Sequence, residues 1–214
     1  MTNQSSNPTN SLTKAGRYLI VVTAFLGWFF AGMHLGITSL AMGSAAKDLL
    51  RNTGQYEVNL TDRNLAALKL EQGHSTEKNV ELLAKNIADK RLGSASSKWF
   101  GYYVCALLFG GAAGGLVFGR LGDRYGRVKG MMAAICCYSG MSLLAYFTQS
   151  PWQLLIARFI VCMGVGGMWP NGVALMSEAW SSVSRPLLAG IIGAAANVGI
   201  LSLVVLANMF VKSQ

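Results

Sequence analysis

An arginine at position 158 and a histidine at position 34 stand inside long apolar runs, where a side chain able to carry charge is costly and marks a functional site by default. A guanidinium placed there can hold an anionic solute, and an imidazole can share that anion or take up and release a proton. Asn171, in the same apolar run as Arg158, adds an amide able to hydrogen-bond a solute. Each residue also has a plainer reading. Arg158 can snorkel outward to the lipid headgroups, and His34 and Asn171 can be hydrogen-bonded packing residues between helices. No nucleophile stands beside a base and no metal-ligand cluster occurs, so neither an enzyme nor a resident cofactor is expected.

Such residues need membrane spans to position them. The 214 residues are 52% hydrophobic and only 13% charged, too little charge for the surface of a soluble domain of this length. The formal net charge of +9 does not point to nucleic acid, because the cations cluster at the ends of apolar runs rather than on one basic face. Five runs are long enough to cross a bilayer as helices: 18–42, 99–118, 130–147, 152–177 and 186–211. The fold class expected is therefore an all-α membrane protein. Cys105, Cys136, Cys137 and Cys162 all lie in these runs and read as small packing residues.

Charge at the connections orients the spans. Lys14 and Arg17 end a tail at 1–17, Arg120 to Lys129 join spans 2 and 3, and Arg185 lies between spans 4 and 5; these belong on the cytoplasmic side. The amino terminus is then cytoplasmic, the carboxyl terminus external, and the protein multi-pass in a plasma or inner membrane. The segment 43–98 holds 16 charged residues of mixed sign and reads as a soluble external loop. Thr61 can cap a helix ending at Gln72 before Gly73, and Ser75 a second over 76–92 before Gly93. Val80, Leu83, Ile87 and Leu92 give the second an apolar face. In span 2, Gly111, Gly115 and Gly119 stand four apart, a stripe along which another helix can approach closely.

At about 1.5 Å per residue, Arg158 lies about 9 Å from the outer start of span 4, and His34 about 24 Å from the cytoplasmic start of span 1. Their depths are comparable, so one cavity could use both on one anion. Glu178 lies about 30 Å further along span 4 than Arg158, too far for direct pairing.

The connection at 119–129 resembles the signature of the major facilitator superfamily, Gly-x-Leu-Gly/Ala-Asp-Arg-x-Gly-Arg, with Gly119, Leu121, Gly122, Asp123, Arg124, Gly126 and Arg127 at its positions. Arg158 followed by Gly164, Gly166 and Gly167 is similar to a second motif of that family, with Cys162 where glycine is usual. Glu178 and Arg185 match its Glu and Arg pair, and Gly27 to Gly36 resembles the branch of sugar and organic-acid proton symporters. The resemblance implies two six-helix bundles working by alternating access, of which five helices and a helical external loop are present, an incomplete amino-terminal half. It implies that Gly119, Asp123, Arg124, Gly126, Arg127, Glu178 and Arg185 form a conformational latch that also meets the second bundle. Related acid symporters carry aspartates near positions 31 and 34, where this chain has Ala31 and His34, so coupling to a proton or other ion would use His34 or groups of the other half.

The function expected is transport of a small polar or anionic solute, of the organic-acid or sugar class, with the bilayer, the solute and a missing carboxy-terminal bundle or second half as partners. The alternative is a non-transporting remnant or structural membrane module.

Overall fold

The computed structural model describes residues 13–70 and 77–212. It contains α1 (Lys14–Asn52), α2 (Leu60–Leu70), α3 (Glu77–Tyr125), α4 (Arg127–Ala145), α5 (Pro151–Ala179) and α6 (Arg185–Lys212). All but α2 are long and apolar enough to cross a membrane, and there is no strand among the described residues. The all-α membrane class is what the apolar runs predict. Large apolar side chains such as Leu19, Leu108, Phe109, Leu116, Leu143 and Leu201 point outward, as a surface solvated by lipid requires.

The helices run further than the apolar stretches do. α1 continues past position 42 to Asn52, and the 49 residues of α3 span about 70 Å, far beyond the hydrocarbon. Gly93 therefore does not end a helix as expected; it lies within α3, and its carbonyl accepts the Ser96 and Ser97 hydroxyls. One glycine costs a helix only about 1 kcal/mol, which packing along the rest of its length overrides. The stretch 119–129 is also not an extended loop. α3 reaches Tyr125, and Gly126 alone breaks it, at φ +102°, before α4 starts at Arg127. Only glycine adopts that backbone without strain.

The chain divides into two compact units. The first comprises residues 1–36, 114–136 and 164–214, the second residues 37–113 and 137–163. In the first unit, glycines let helix backbones touch. Gly32 faces the Ala196 backbone and Gly199 faces the Phe29 carbonyl, joining α1 to α6. Gly167 lies against Phe118, where an added Cβ would stand 2.5 Å from the phenylalanine Cβ, joining α5 to α3. The expected stripe is only partly used: Gly119 meets Pro170 and Gly115 the Gly166 carbonyl at ordinary distances, whereas Gly111 meets nothing. Its neighbour Gly110 makes the close approach in the second unit, to the Phe159 carbonyl, because residues one apart on a helix face different directions.

The core of the second unit is Met42, Ala46, Tyr103 and Leu154, with Trp99 packed on it. Trp99 also meets Tyr102 and Trp152 edge to face, and the Tyr103 hydroxyl donates to the Pro151 carbonyl at 3.3 Å. Beyond this aromatic cluster an arm is built from the end of α1, α2 and the start of α3, with Ala46, Leu50, Ala66, Ala84, Ala88 and Leu92 buried. The cap of α2 is Asn59 rather than Thr61. The Asn59 side chain accepts the Asp62 N–H at 2.9 Å, and the Asp62 carboxylate accepts the Asn59 N–H at 3.1 Å. Asp62 is buried and also pairs with Arg91 at 2.7 Å. The expected caps and stops at Gln72, Gly73 and Ser75 lie outside the described residues.

Candidate functional site

Arg158 sits on α5 in the second unit with 4% of its surface exposed. Its Nη2 donates to the hydroxyl of Thr38 on α1, itself 3% exposed. The alternative of an arginine snorkelling into the headgroups does not describe this side chain, which is packed between helices. Thr38 escaped the sequence reading because a threonine in an apolar run carries no charge signal. Its spacing was the available clue: it lies four residues after His34, on the same face of α1. His34 belongs to the first unit and is half-buried.

Asn171 is fully buried on α5 in the first unit. Its Nδ2 donates to the Phe118 carbonyl of α3 at 2.8 Å and to the Gly167 carbonyl at 2.9 Å. Its Oδ1 is aimed at Gly122 and Gly130, positions where any side chain would collide with it. These bonds tie α5 to α3 beside the Gly126 turn, the interhelical role that was the plainer reading of this residue.

The charges flanking the turn are brought together in part. Arg127 bonds Asp123 at 2.5 Å and lies 3.6 Å from Glu178 at the end of α5. Arg124 instead lies over the Tyr125 ring at 5.5 Å. Arg185, the first residue of α6, lines one cavity of about 570 Å³ with Arg127 and Glu178. Trp169, on the wall of that cavity, was not singled out in the sequence; its ring lies 5.3 Å from that of Trp28. No group of His, Cys, Asp and Glu that could hold a metal occurs among the described residues.

Five membrane-length helices, backbone contacts made through glycine and a guanidinium held among the helices define an integral, multi-pass membrane protein of the solute-transporter class. Residues 19–212 match the family described as sugar (and other) transporter, and the chain belongs to it, as the amino-terminal portion of a major facilitator superfamily transporter. Among its relatives are a gallate transporter of Pseudomonas putida, 31% identical over 100 residues (47% of this chain, 22% of the relative), and a 4-hydroxybenzoate transporter of the same organism, 36% identical over 78 residues (36% and 17%). A gentisate transporter of Corynebacterium glutamicum is 26% identical over 159 residues, 69% of this chain and 36% of the relative. The match thus spans little more than a third of these relatives at most. No solved structure matches the chain.

Proposed function

We propose that this protein moves a small organic carboxylate across the membrane by alternating access, together with a second bundle, and that Arg158 holds the carboxylate. The observation that carries the reading is the guanidinium buried inside α5 and bonded to Thr38. Taking an arginine out of water costs several kcal/mol, so one buried inside a span marks a functional position by default. Two charge-assisted hydrogen bonds to a planar carboxylate suit the guanidinium fork. Relatives named for gallate, gentisate and 4-hydroxybenzoate transport favour an acid over a sugar.

In the same reading the Asp123, Arg127 and Glu178 cluster is the latch. Its pairs are largely exposed, each worth under about 1 kcal/mol, so they can break and re-form as the bundles rock. His34 is proposed as a polar contact for the solute or a proton carrier, as an ionisable group within the apolar run of α1.

The test is uptake of labelled benzoate by cells expressing the whole transporter. Arg158→Ala abolishes uptake and Arg158→Lys retains a part of it, at equal membrane expression. Undiminished uptake by Arg158→Ala overturns the assignment.

A further inference from the structure

The cavity lined by Trp169, Arg127, Ser177, Glu178, Ser181 and Arg185 combines three residues of the expected latch with an indole and two hydroxyls for which the latch has no use. Trp169 and Arg158 are eleven residues apart on α5, about 16 Å along its axis. We propose that this cavity is a second solute site selective for aromatic carboxylates, with the Trp169 indole as the platform for the ring and Arg185 as the anchor for the carboxylate. It rests on the reading that the solute is an organic carboxylate and specifies its class further.

Three observations, all within the first unit, carry it. First, the Trp169 ring is seated beside the Trp28 ring at 5.3 Å and against Gly193 of α6, where an added Cβ would meet the indole edge at an ordinary contact distance of 3.7 Å. Yet 39% of Trp169 remains exposed, so part of a large apolar side chain is held open toward the cavity. An immobilised, partly uncovered indole is a stacking surface whose ordering cost has already been met by folding.

Second, the lining supplies positive charge. Arg127 is occupied by Asp123 and Glu178, whereas Arg185 makes no ion pair with a described residue. It begins a 28-residue helix, whose amino-terminal end adds to the positive potential. The Ser181 hydroxyl also lines the cavity and can donate to a ring hydroxyl or to the carboxylate, while the Ser177 hydroxyl donates to the Val173 carbonyl at 2.8 Å and can accept from a ring hydroxyl. Third, the spacing fits. Gly193, under the indole, is eight residues from Arg185, about 12 Å along α6, which an extended arginine side chain and one benzoate-sized molecule cover between them. A cavity of about 570 Å³ is ample for such a solute.

The experiment measures binding of benzoate and of cyclohexanecarboxylate, which has the same charge and no π system, to the full chain in nanodiscs by equilibrium dialysis, with tryptophan fluorescence as a second readout. Trp169→Leu weakens benzoate binding about 3- to 10-fold, as expected for loss of one aromatic contact, and leaves cyclohexanecarboxylate within about 2-fold. Trp169→Phe restores most of the benzoate affinity, and Arg185→Gln weakens both ligands. If Trp169→Leu weakens the two acids equally or neither, the aromatic site is overturned. Loss of uptake in Arg158→Ala alongside that result leaves the carboxylate reading standing, whereas full uptake by Arg158→Ala removes the reading itself.

Discussion

Replacing Gly32 by alanine tests the closest helix contact in the first unit. A Cβ on Gly32 would stand 2.6 Å from the Ala196 Cα and 2.7 Å from its carbonyl carbon. Carbon atoms pack at about 3.5–4.0 Å, so α1 and α6 must part locally by about 1 Å. The contact between Gly199 and the Phe29 carbonyl lies on the same interface and loosens with it. Overpacking of this kind costs about 1–3 kcal/mol, opposed by about 1 kcal/mol gained when glycine in a helix becomes alanine. The net loss, up to about 2 kcal/mol, lowers the unfolding midpoint by up to about 8 °C for a chain of this length. With the exposed Cys105 and Cys136 and the half-buried Cys137 replaced by alanine, a thiol-reactive dye reports exposure of the buried Cys162 and reads the midpoint in detergent. Gly43 supplies the control on the same helix: nothing lies within 4 Å of its added Cβ, so Gly43→Ala raises the midpoint or leaves it unchanged. A Gly32→Ala midpoint equal to that of Gly43→Ala would refute the close α1 to α6 approach.

Asn171→Leu breaks the tie between α5 and the Phe118 carbonyl and costs about 1–3 kcal/mol, read by the same melting assay. Asp62→Ala removes both a capping contact and the partner of Arg91, so the arm opens by about 2–4 kcal/mol and hydrogen exchange over 60–70 accelerates, while the midpoint of the spans changes little. Glu178→Gln changes the melting midpoint by less than about 2 °C yet alters uptake in the whole transporter, because an exposed pair contributes little stability but biases the conformational equilibrium. Gly126→Ala forces a non-glycine residue to φ +102° and costs about 1–3 kcal/mol, again as a lowered midpoint.

The spans were legible because bilayer thickness imposes a length on apolar runs. The helix ends were not, because charge marks where a chain leaves hydrocarbon and does not stop a helix. The charged residues at 47–51 and 77–98 therefore lie on continuations of α1 and α3, where they read as a separate loop. Among the site residues, Arg158 stood out by its charge, and its partner Thr38 did not, since hydroxyls are ordinary in apolar helices. Asn171 is the converse case. Its polarity suggested a solute ligand, yet both donors of its amide are turned to backbone carbonyls, a choice set by the neighbouring helix. Trp169 was invisible as a site residue, since its exposure toward a cavity depends on Trp28 and Gly193, distant in sequence.

Recognition of a carboxylate by Arg158 is measured most directly as the ratio of affinities for benzoate and uncharged benzamide with Arg158 present and in Arg158→Ala. With Arg185→Gln in both proteins to silence the second site, loss of a charge-assisted bond of about 1.5–3 kcal/mol predicts that benzoate binds at least about 10-fold better than benzamide when Arg158 is present and that the preference collapses toward unity in Arg158→Ala. A preference for benzoate that survives Arg158→Ala at full strength would contradict the account.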